Sequence, residues 1–158
     1  MKTKQISVIV MFATIYLVLG FAFHPLSFEA FQLRLACVIV PLIHFGGTPA
    51  LIGLTIGHFI FNTTSPLIPW DLVSPLIFFP ARLAIKRYGF KAVPLHVLSV
   101  AMWVSLIIQL SAGFFTWPLF VTIGISVGVG EGIVELVLGR LLYLEVERRK
   151  WLLLLFQD

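Results

Sequence analysis

Two glutamates stand one helical turn apart in an apolar run near the end of the chain. Glu131 and Glu135 lie in the run 116–144, whose other charged residue is Arg140. Side chains at this spacing share a face of a helix, and ionisable residues inside such runs are functional candidates by default. Two carboxylates this close in a dry site repel each other, so at least one would hold a proton. Glu131 is therefore a candidate ligand contact or structural hydrogen-bonding group. For Glu135 we favour a structural role, such as an interhelical hydrogen bond or a pair with Arg82 or Arg140.

Further polar and aromatic residues in apolar surroundings are candidates for contacting a ligand. His58 and Asn62 share a helix face and could either hydrogen-bond a polar ligand or pack in the core. Trp103 lies in the middle of an apolar run, where its indole N–H needs a partner, and it could stack on a flat ligand. Trp70 could be an interfacial anchor or contact the ligand, and Asp71 could cap a helix starting at Leu72 or contact the ligand.

No pattern of metal ligands or catalytic groups is present in the sequence. The histidines, His24, His44, His58 and His96, show no spacing typical of a metal site, and Cys37 is the single cysteine. There is no phosphate-binding P-loop, no nucleophile paired with a base and no redox motif. The sequence therefore predicts no metal, no cofactor and no enzyme activity, and any ATP hydrolysis would belong to another subunit.

The composition is that of an integral membrane protein. Of the 158 residues, 59% are hydrophobic and 11% are charged, and the mean hydropathy is +1.05. Soluble domains average about 25% charged residues. Backbone groups in lipid must be paired internally, so only helices or a closed barrel can cross. The apolar runs here are continuous rather than alternating, which favours helices.

These runs predict one membrane domain, an all-α bundle of six transmembrane helices. The predicted helices are 5–23, 33–46, 49–62, 72–86, 93–114 and 116–144. A cytoplasmic tail follows at 145–158, in which 151–156 either lies at the membrane interface or docks on the bundle. The region 35–62 either crosses twice or forms a re-entrant hairpin. Small residues at Gly53 and Gly57, and at Gly124, Gly128 and Gly132, predict close helix contacts.

The distribution of positive charge predicts the orientation. Cytoplasmic loops of membrane proteins are enriched in Lys and Arg. With the N-terminus inside, only Arg34 of the 11 basic residues lies at the outer side. The inner ones are Lys2, Lys4, Arg82, Lys86, Arg87, Lys91, Arg140, Arg148, Arg149 and Lys150. They act as anchors at the membrane surface, which argues against a nucleic-acid partner. We expect a multi-pass protein of the cell membrane with both termini in the cytoplasm.

Four segments carry a family pattern. They read Phe-Gln-Leu-Arg-Leu at 31–35, Phe-Gly-Gly-Thr-Pro-Ala-Leu-Ile-Gly-Leu-Thr-Ile-Gly-His-Phe-Ile-Phe-Asn at 45–62, Ser-Pro-Leu at 65–67 and Gly-Glu-Gly-Ile-Val-Glu-Leu-Val-Leu-Gly at 130–139. In this order they resemble the QueT-type membrane proteins, the substrate-binding S components of energy-coupling factor (ECF) transporters, over most of residues 5–145. Where that family pattern continues with Ser-Glu, this chain has Ala36 and Cys37.

The resemblance implies a six-helix S-component fold with a ligand pocket near the outer face. It also implies three partner subunits, namely a transmembrane coupling protein and two ATPases. The loop after the first helix and the outer helix ends would shape the pocket, which makes Gln32, Arg34, His58 and Asn62 the expected ligand contacts. The expected function is to capture a small, polar, planar metabolite, queuosine-precursor-like or vitamin-like, for an ATP-driven importer.

Two other classes of function stay open from the sequence. The first is an autonomous secondary carrier in which Glu131 and Glu135 form a proton relay. The second is an intramembrane enzyme or a purely structural subunit. Uptake without any ATPase partner would favour the carrier, and conversion of a lipid or metabolite would favour the enzyme. The sequence itself does not identify the ligand.

Overall fold

The structure, a computed structural model, describes residues 3–27 and 33–149. Within these ranges the chain is helical and has no strand, as predicted for an all-α protein. Gln32 and the interfacial segment expected at 151–156 lie outside them. In order, the helices are α1 (Thr3–Ala22), α2 (His24–Ser27), a 3₁₀ helix (Leu35–Leu42), α3 (Ile43–Asn62), α4 (Trp70–Ile77), α5 (Phe79–Tyr88), a second 3₁₀ helix (Gly89–Ala92), α6 (Val93–Ser111), α7 (Trp117–Gly132), a π-helix (Ile133–Leu138) and α8 (Gly139–Arg148).

Within the described residues, four helical stretches are long and apolar enough to cross a membrane. They are Thr3–Ala22, Leu35–Asn62, Trp70–Ser111 and Trp117–Arg148. Large apolar side chains on them face outward, including Val18 at 60% exposure and Ile125 at 63%. Such a surface suits lipid, in which a helix satisfies its own backbone groups. The structure is thus consistent with a helical membrane bundle, as the sequence predicts at this coarse level.

The stretch Leu35–Asn62 folds back on itself at a glycine. Gly47 has φ 59° and ψ −143°, a conformation outside the helical range. Glycine adopts such positive-φ conformations without the steric cost that a Cβ would add. As a result, the guanidinium of Arg34, just before the first arm, comes within 2.8 Å of His58 in the second arm. The two arms are therefore antiparallel.

The stretch Trp70–Ser111 forms a second hairpin. Its turn lies near Gly89, which has φ 65°, and its first arm is broken between α4 and α5 at Phe78. Arg82 of the first arm contacts His96 of the second at 3.2 Å. Both hairpins thus bring polar side chains from their own arms together inside the bundle.

Helices α1 and α3 pack closely and in parallel through two glycines. A Cβ added at Gly53 would lie 2.3 Å from the carbonyl oxygen of Ile9, and one added at Gly57 would lie 2.9 Å from that of Ala13. No side chain fits at these distances, so the backbones touch where only glycine allows it. The packing role predicted for this pair is confirmed.

The second glycine stripe packs less tightly. A Cβ added at Gly124 would lie 3.2 Å from Ser105 Oγ, whereas one at Gly128 would make an ordinary 3.6 Å contact with Ala101. A Cβ at Gly132 would meet only Leu136 of the following turn, at 3.9 Å. The predicted close contact therefore holds at Gly124 and not along the whole stripe.

The last helical stretch widens in its middle. The π-helix Ile133–Leu138 separates α7 from α8. π-turns take more residues per turn than α-helices and occur frequently at functional sites. This one contains Glu135 and begins two residues after Glu131, so the wide turn lies beside the two acidic residues singled out from the sequence.

Candidate functional site

A group of buried polar side chains lies inside the bundle, and we call it the polar cluster. Each member is at most 2% exposed. Polar groups in such surroundings cost free energy unless they are hydrogen-bonded, so their partners decide what the site can do. The members are Arg34, His58, Asn62, Asp71, Ser74, Arg82, His96, Glu131 and Glu135.

His58 lies between two guanidinium groups at the centre of the cluster. Its Nε2 is 2.8 Å from Arg34 Nη1, and its Nδ1 is 2.7 Å from Arg82 Nη2. The Gly47 turn places Arg34 opposite His58, and α5 presents Arg82 from the other side. A single imidazole therefore connects two permanently charged residues.

From Arg82 the network continues to the π-helix. Arg82 Nε donates to His96 Nε2 at 3.2 Å, so the proton of a neutral His96 sits on Nδ1. His96 Nδ1 then donates to the Glu135 carboxylate, with distances of 2.8 and 3.1 Å to its two oxygens. Glu135 thus forms an interhelical hydrogen bond, one of the structural roles considered from the sequence.

A second branch of the cluster is centred on Asp71. Asn62 Nδ2 donates to the Asp71 carbonyl oxygen at 2.7 Å and to Oδ1 at 3.1 Å. Ser74 Oγ donates to the same Oδ1 at 2.6 Å, and Trp103 Nε1 donates to Ser74 Oγ at 2.7 Å. Arg34 Nη2 lies 3.8 Å from Asp71 Oδ2. This branch therefore links a carboxylate, an amide, a hydroxyl and an indole to the arginine.

Asp71 does not cap a helix, so the hypothesis that it caps a helix starting at Leu72 is wrong. Helix α4 begins at Trp70 with Pro69 at its N-cap, and no side chain caps it. Asp71 lies in the first turn, and its carboxylate is held by Asn62 and Ser74. The Asp71 carboxylate therefore belongs to the polar cluster.

Phe78 gives the centre of the cluster a rigid aromatic wall. Its ring stacks on His58, with ring centroids 5.7 Å apart and an interplanar angle of 18°. It meets His96 edge-on at 5.6 Å, and the Arg82 guanidinium lies 6.0 Å from its centroid. Such contacts fix ring orientations by aromatic and cation–π attraction.

Some polar atoms of the cluster have no hydrogen-bond partner among residues 3–27 and 33–149. They include Asn62 Oδ1, Arg82 Nη1 and both carboxylate oxygens of Glu131. Buried polar atoms are nearly always paired, so each exception needs an explanation, such as a ligand, an ion or water. The cluster consequently offers both donor and acceptor groups that a polar ligand could use.

Three potential metal ligands lie close together in the bundle. The ligand atoms of Cys37, Glu131 and Glu135 lie within 4.8 Å of one another, and all three residues are buried. The sequence predicts no metal, whereas this geometry could hold a cation. However, Arg34 and Arg82 both act electrostatically on Glu131, and two nearby positive charges oppose a divalent ion.

Most of the site residues expected from the sequence lie together. Arg34, His58, Asn62, Asp71 and Glu131 belong to the polar cluster, and Trp103 is hydrogen-bonded to it. Trp70 is 41% exposed and lies outside the cluster. Gln32 falls outside the described residues.

From the sequence, Arg82 was named only as a membrane anchor and a possible partner of Glu135, and His96 and Ser74 were not expected in the site. Arg82 was placed at the inner membrane surface as an anchor, which is wrong because its side chain is fully buried and bonded to two histidines. Its position inside the apolar run 72–86 was the available signal, since charged residues within such runs usually face a polar interior. His96 and Ser74 carried no signal of comparable strength.

Comparison with known proteins identifies the family of the chain. A family model described as "QueT transporter" matches residues 6–148. The chain belongs to the QueT transporter family. The resemblance to QueT-type S components is thereby confirmed, and the QueT family is a family of transporters. No curated protein and no solved structure matches the chain. The polar cluster lies entirely within the part of the chain that the QueT match covers.

Proposed function

We propose that this QueT family member is the substrate-capture subunit of an ECF-type importer. It would bind a small, polar, planar metabolite, queuosine-precursor-like or vitamin-like, from outside the cell. A transmembrane coupling subunit and two ATPases would then drive its release inside. The absence of a P-loop from the sequence agrees with an energy source on other subunits.

The polar cluster is the observation that carries this proposal. It lies inside a bundle whose outer surface suits lipid. Three of its members lie at or near the ends of helices. Arg34 directly precedes the first 3₁₀ helix, Asn62 ends α3 and Asp71 lies in the first turn of α4. Polar groups at helix ends can be reached from the membrane surface, and ligand sites combine apolar walls with a few convergent polar groups.

The two hairpins support a topology of six crossings. If each arm of Leu35–Asn62 and of Trp70–Ser111 crosses once, the four apolar stretches become six segments with both termini on one side. The positive-inside rule then places these termini in the cytoplasm of a cell-membrane protein. The end of the bundle that carries Arg34 and Asn62 would face outward, where an importer must collect its substrate.

Asn62 provides the test of the site, because its free Oδ1 is available to a ligand. We expect Asn62→Ala to weaken binding of a queuosine-precursor-like base by about five- to twelvefold, since a hydrogen bond in a buried site contributes about 1–1.5 kcal/mol. The adjacent Thr63→Ala is the matched control, because Thr63 is exposed and, within residues 3–27 and 33–149, its hydroxyl bonds only to the Ile60 carbonyl. Isothermal titration of both variants in nanodiscs measures their ligand affinities. Melting curves of the same samples check that both variants are folded.

The same preparation also tests the ligand class and the partners. Native mass spectrometry of the purified chain would reveal a co-purified metabolite. Uptake in cells with and without the ATPase subunits separates an ECF importer from a proton-coupled carrier. Equal affinities of folded Asn62→Ala and Thr63→Ala would contradict the site assignment. Uptake that persists without the ATPases would contradict the importer assignment.

A further inference from the structure

A groove lies on the side of α5 that faces away from the polar cluster. It has a volume of about 550 Å³ and is lined by Pro80, Leu83, Ala84, Lys86, Arg87 and Tyr88. Pro80, Leu83 and Arg87 follow one another at three and four residues, so they share a face of the helix. Arg82 of the polar cluster is buried in the bundle, whereas Leu83 and Arg87 are exposed. The groove is therefore separate from the candidate ligand site.

The two ends of the groove differ in chemistry. The part nearer the start of α5 is apolar, whereas the last turn of the helix supplies two cations and a phenol. At 1.5 Å per residue, Pro80 and Tyr88 are about 12 Å apart along the helix axis. Half of the hydrocarbon core of a bilayer is about 15 Å thick. The groove thus has a length comparable to one leaflet, with its charged end at the Gly89 turn.

The two positive charges of the groove are not neutralised by the described part of the chain. Lys86 Nζ donates to Thr48 Oγ1 at 2.7 Å, which uses one of its three N–H groups. The Arg87 guanidinium lies 5.4 Å over the ring of Tyr88. Within residues 3–27 and 33–149, neither cation forms an ion pair with a carboxylate. Both charges therefore remain available to an anion.

Charge and shape together decide what fits the groove. An apolar helix of another subunit could cover the apolar part, but it would bury two cations without counterions, which is costly. A zwitterionic phospholipid carries its own cation beside the phosphate. An anionic phospholipid offers an acyl chain to the apolar part and a net negative headgroup to the cations, and basic pockets of membrane proteins bind such headgroups. It is the occupant that matches both ends.

We propose that this groove binds an anionic phospholipid. The phosphate lies between Lys86 and Arg87, and an acyl chain runs along Leu83 toward Pro80. Lys86 also bonds to Thr48, the residue after Gly47, so the headgroup joins the turns of both hairpins. The site differs from that of the transported metabolite, and its occupancy does not depend on the proposed function.

Lipid retention by the full chain in detergent tests the site. The probes are dioleoyl-phosphatidylglycerol, which is anionic, and dioleoyl-phosphatidylcholine, which has the same acyl chains and no net charge. Native mass spectrometry of the chain with increasing amounts of each lipid measures the two affinities. We expect a preference for phosphatidylglycerol of about five- to thirtyfold, the range for one or two basic residues beside an anionic headgroup. Equal affinities would overturn the proposal.

Two double variants separate the groove from the general positive charge of this end of the bundle. Lys86→Gln with Arg87→Gln removes both cations of the groove and should reduce the preference to within about twofold. The control is Lys91→Gln with Arg140→Gln, which removes two exposed cations near the same turn but outside the groove. It should keep the preference, and melting curves check that both variants are folded. If both variants lose the preference alike, the lipid responds to overall charge and the proposal is wrong.

The apolar part of the groove has a test of its own. Ala84→Phe fills the groove and leaves both cations in place, so we expect it to lose retention of both lipids. Unchanged retention, with or without loss of assembly with a coupling subunit, would contradict the proposal. Glycerol phosphate carries the charge of a headgroup without acyl chains and should not displace the lipid at millimolar concentration. Displacement would assign the charged end to a soluble phosphate instead.

Discussion

Replacing Arg82 tests most directly whether the polar cluster holds the bundle together. Arg82→Met removes the guanidinium and keeps an unbranched side chain of similar length. It breaks the contacts to His58 Nδ1 at 2.7 Å and to His96 Nε2 at 3.2 Å. Arg87→Met makes the same change five residues later on α5, where the side chain is exposed and lies 5.4 Å over the ring of Tyr88.

The expected loss of stability follows from what Arg82 leaves behind. Removing one partner of a buried charged network typically costs about 3–5 kcal/mol. A carboxyl group of the cluster can take up a proton and relieve part of the imbalance, so we expect about 3 kcal/mol for Arg82→Met. For Arg87→Met we expect about 0.5 kcal/mol, the usual range for an exposed cation–π contact.

Thermal unfolding in detergent, followed by tryptophan fluorescence, measures the difference. One kcal/mol corresponds to about 2–4 °C in a chain of this size, so Arg82→Met should melt about 6–12 °C lower. If Arg82 were a surface anchor, as its sequence position first indicated, both variants would melt alike. Melting temperatures that agree within about 2 °C would therefore refute the role assigned to the cluster.

Two further predictions concern the framework around the site. Gly53→Ala should destabilise the bundle by about 2 kcal/mol or more, because its Cβ would meet the backbone of Ile9 at 2.3 Å; Gly128→Ala, with room for a methyl group, should be neutral or stabilising in the same melting assay. Ser74→Ala removes the hydroxyl between Trp103 and Asp71 and should cost about 1–2 kcal/mol; an unchanged emission maximum of Trp103, recorded with the other tryptophans replaced by Phe, would contradict that link.

The helical membrane architecture was predictable from the sequence because it follows from composition. In lipid the backbone N–H and C=O groups must be paired within the protein, so long continuous apolar runs are expected to form helices. The contact between α1 and α3 was also predictable, since Gly53 and Gly57 recur at the spacing that lets helices touch. Both inferences depend on local pattern alone, which a sequence shows directly.

The polar cluster was only partly predictable, because it depends on which residues meet across helices. Glu131, His58 and Asn62 stood out as polar groups in apolar runs. Arg82 was considered only as an anchor or a partner of Glu135, because the positive-inside rule counts charges by loop and does not distinguish a side chain that points into the bundle. The bond from His96 to Glu135 joins residues 39 positions apart, and nothing local in either segment indicates that distance.

The position of His58 between two arginines has a consequence for the tautomer of its ring. A neutral imidazole has one lone pair free to accept, yet both of its nitrogens face N–H donors. It can satisfy Arg34 in one tautomer and Arg82 in the other, but never both together. A ligand atom that accepts from one guanidinium would select the tautomer that serves the other. Occupancy at the helix ends would then decide where a proton sits at the middle of the bundle, with no side chain having to move.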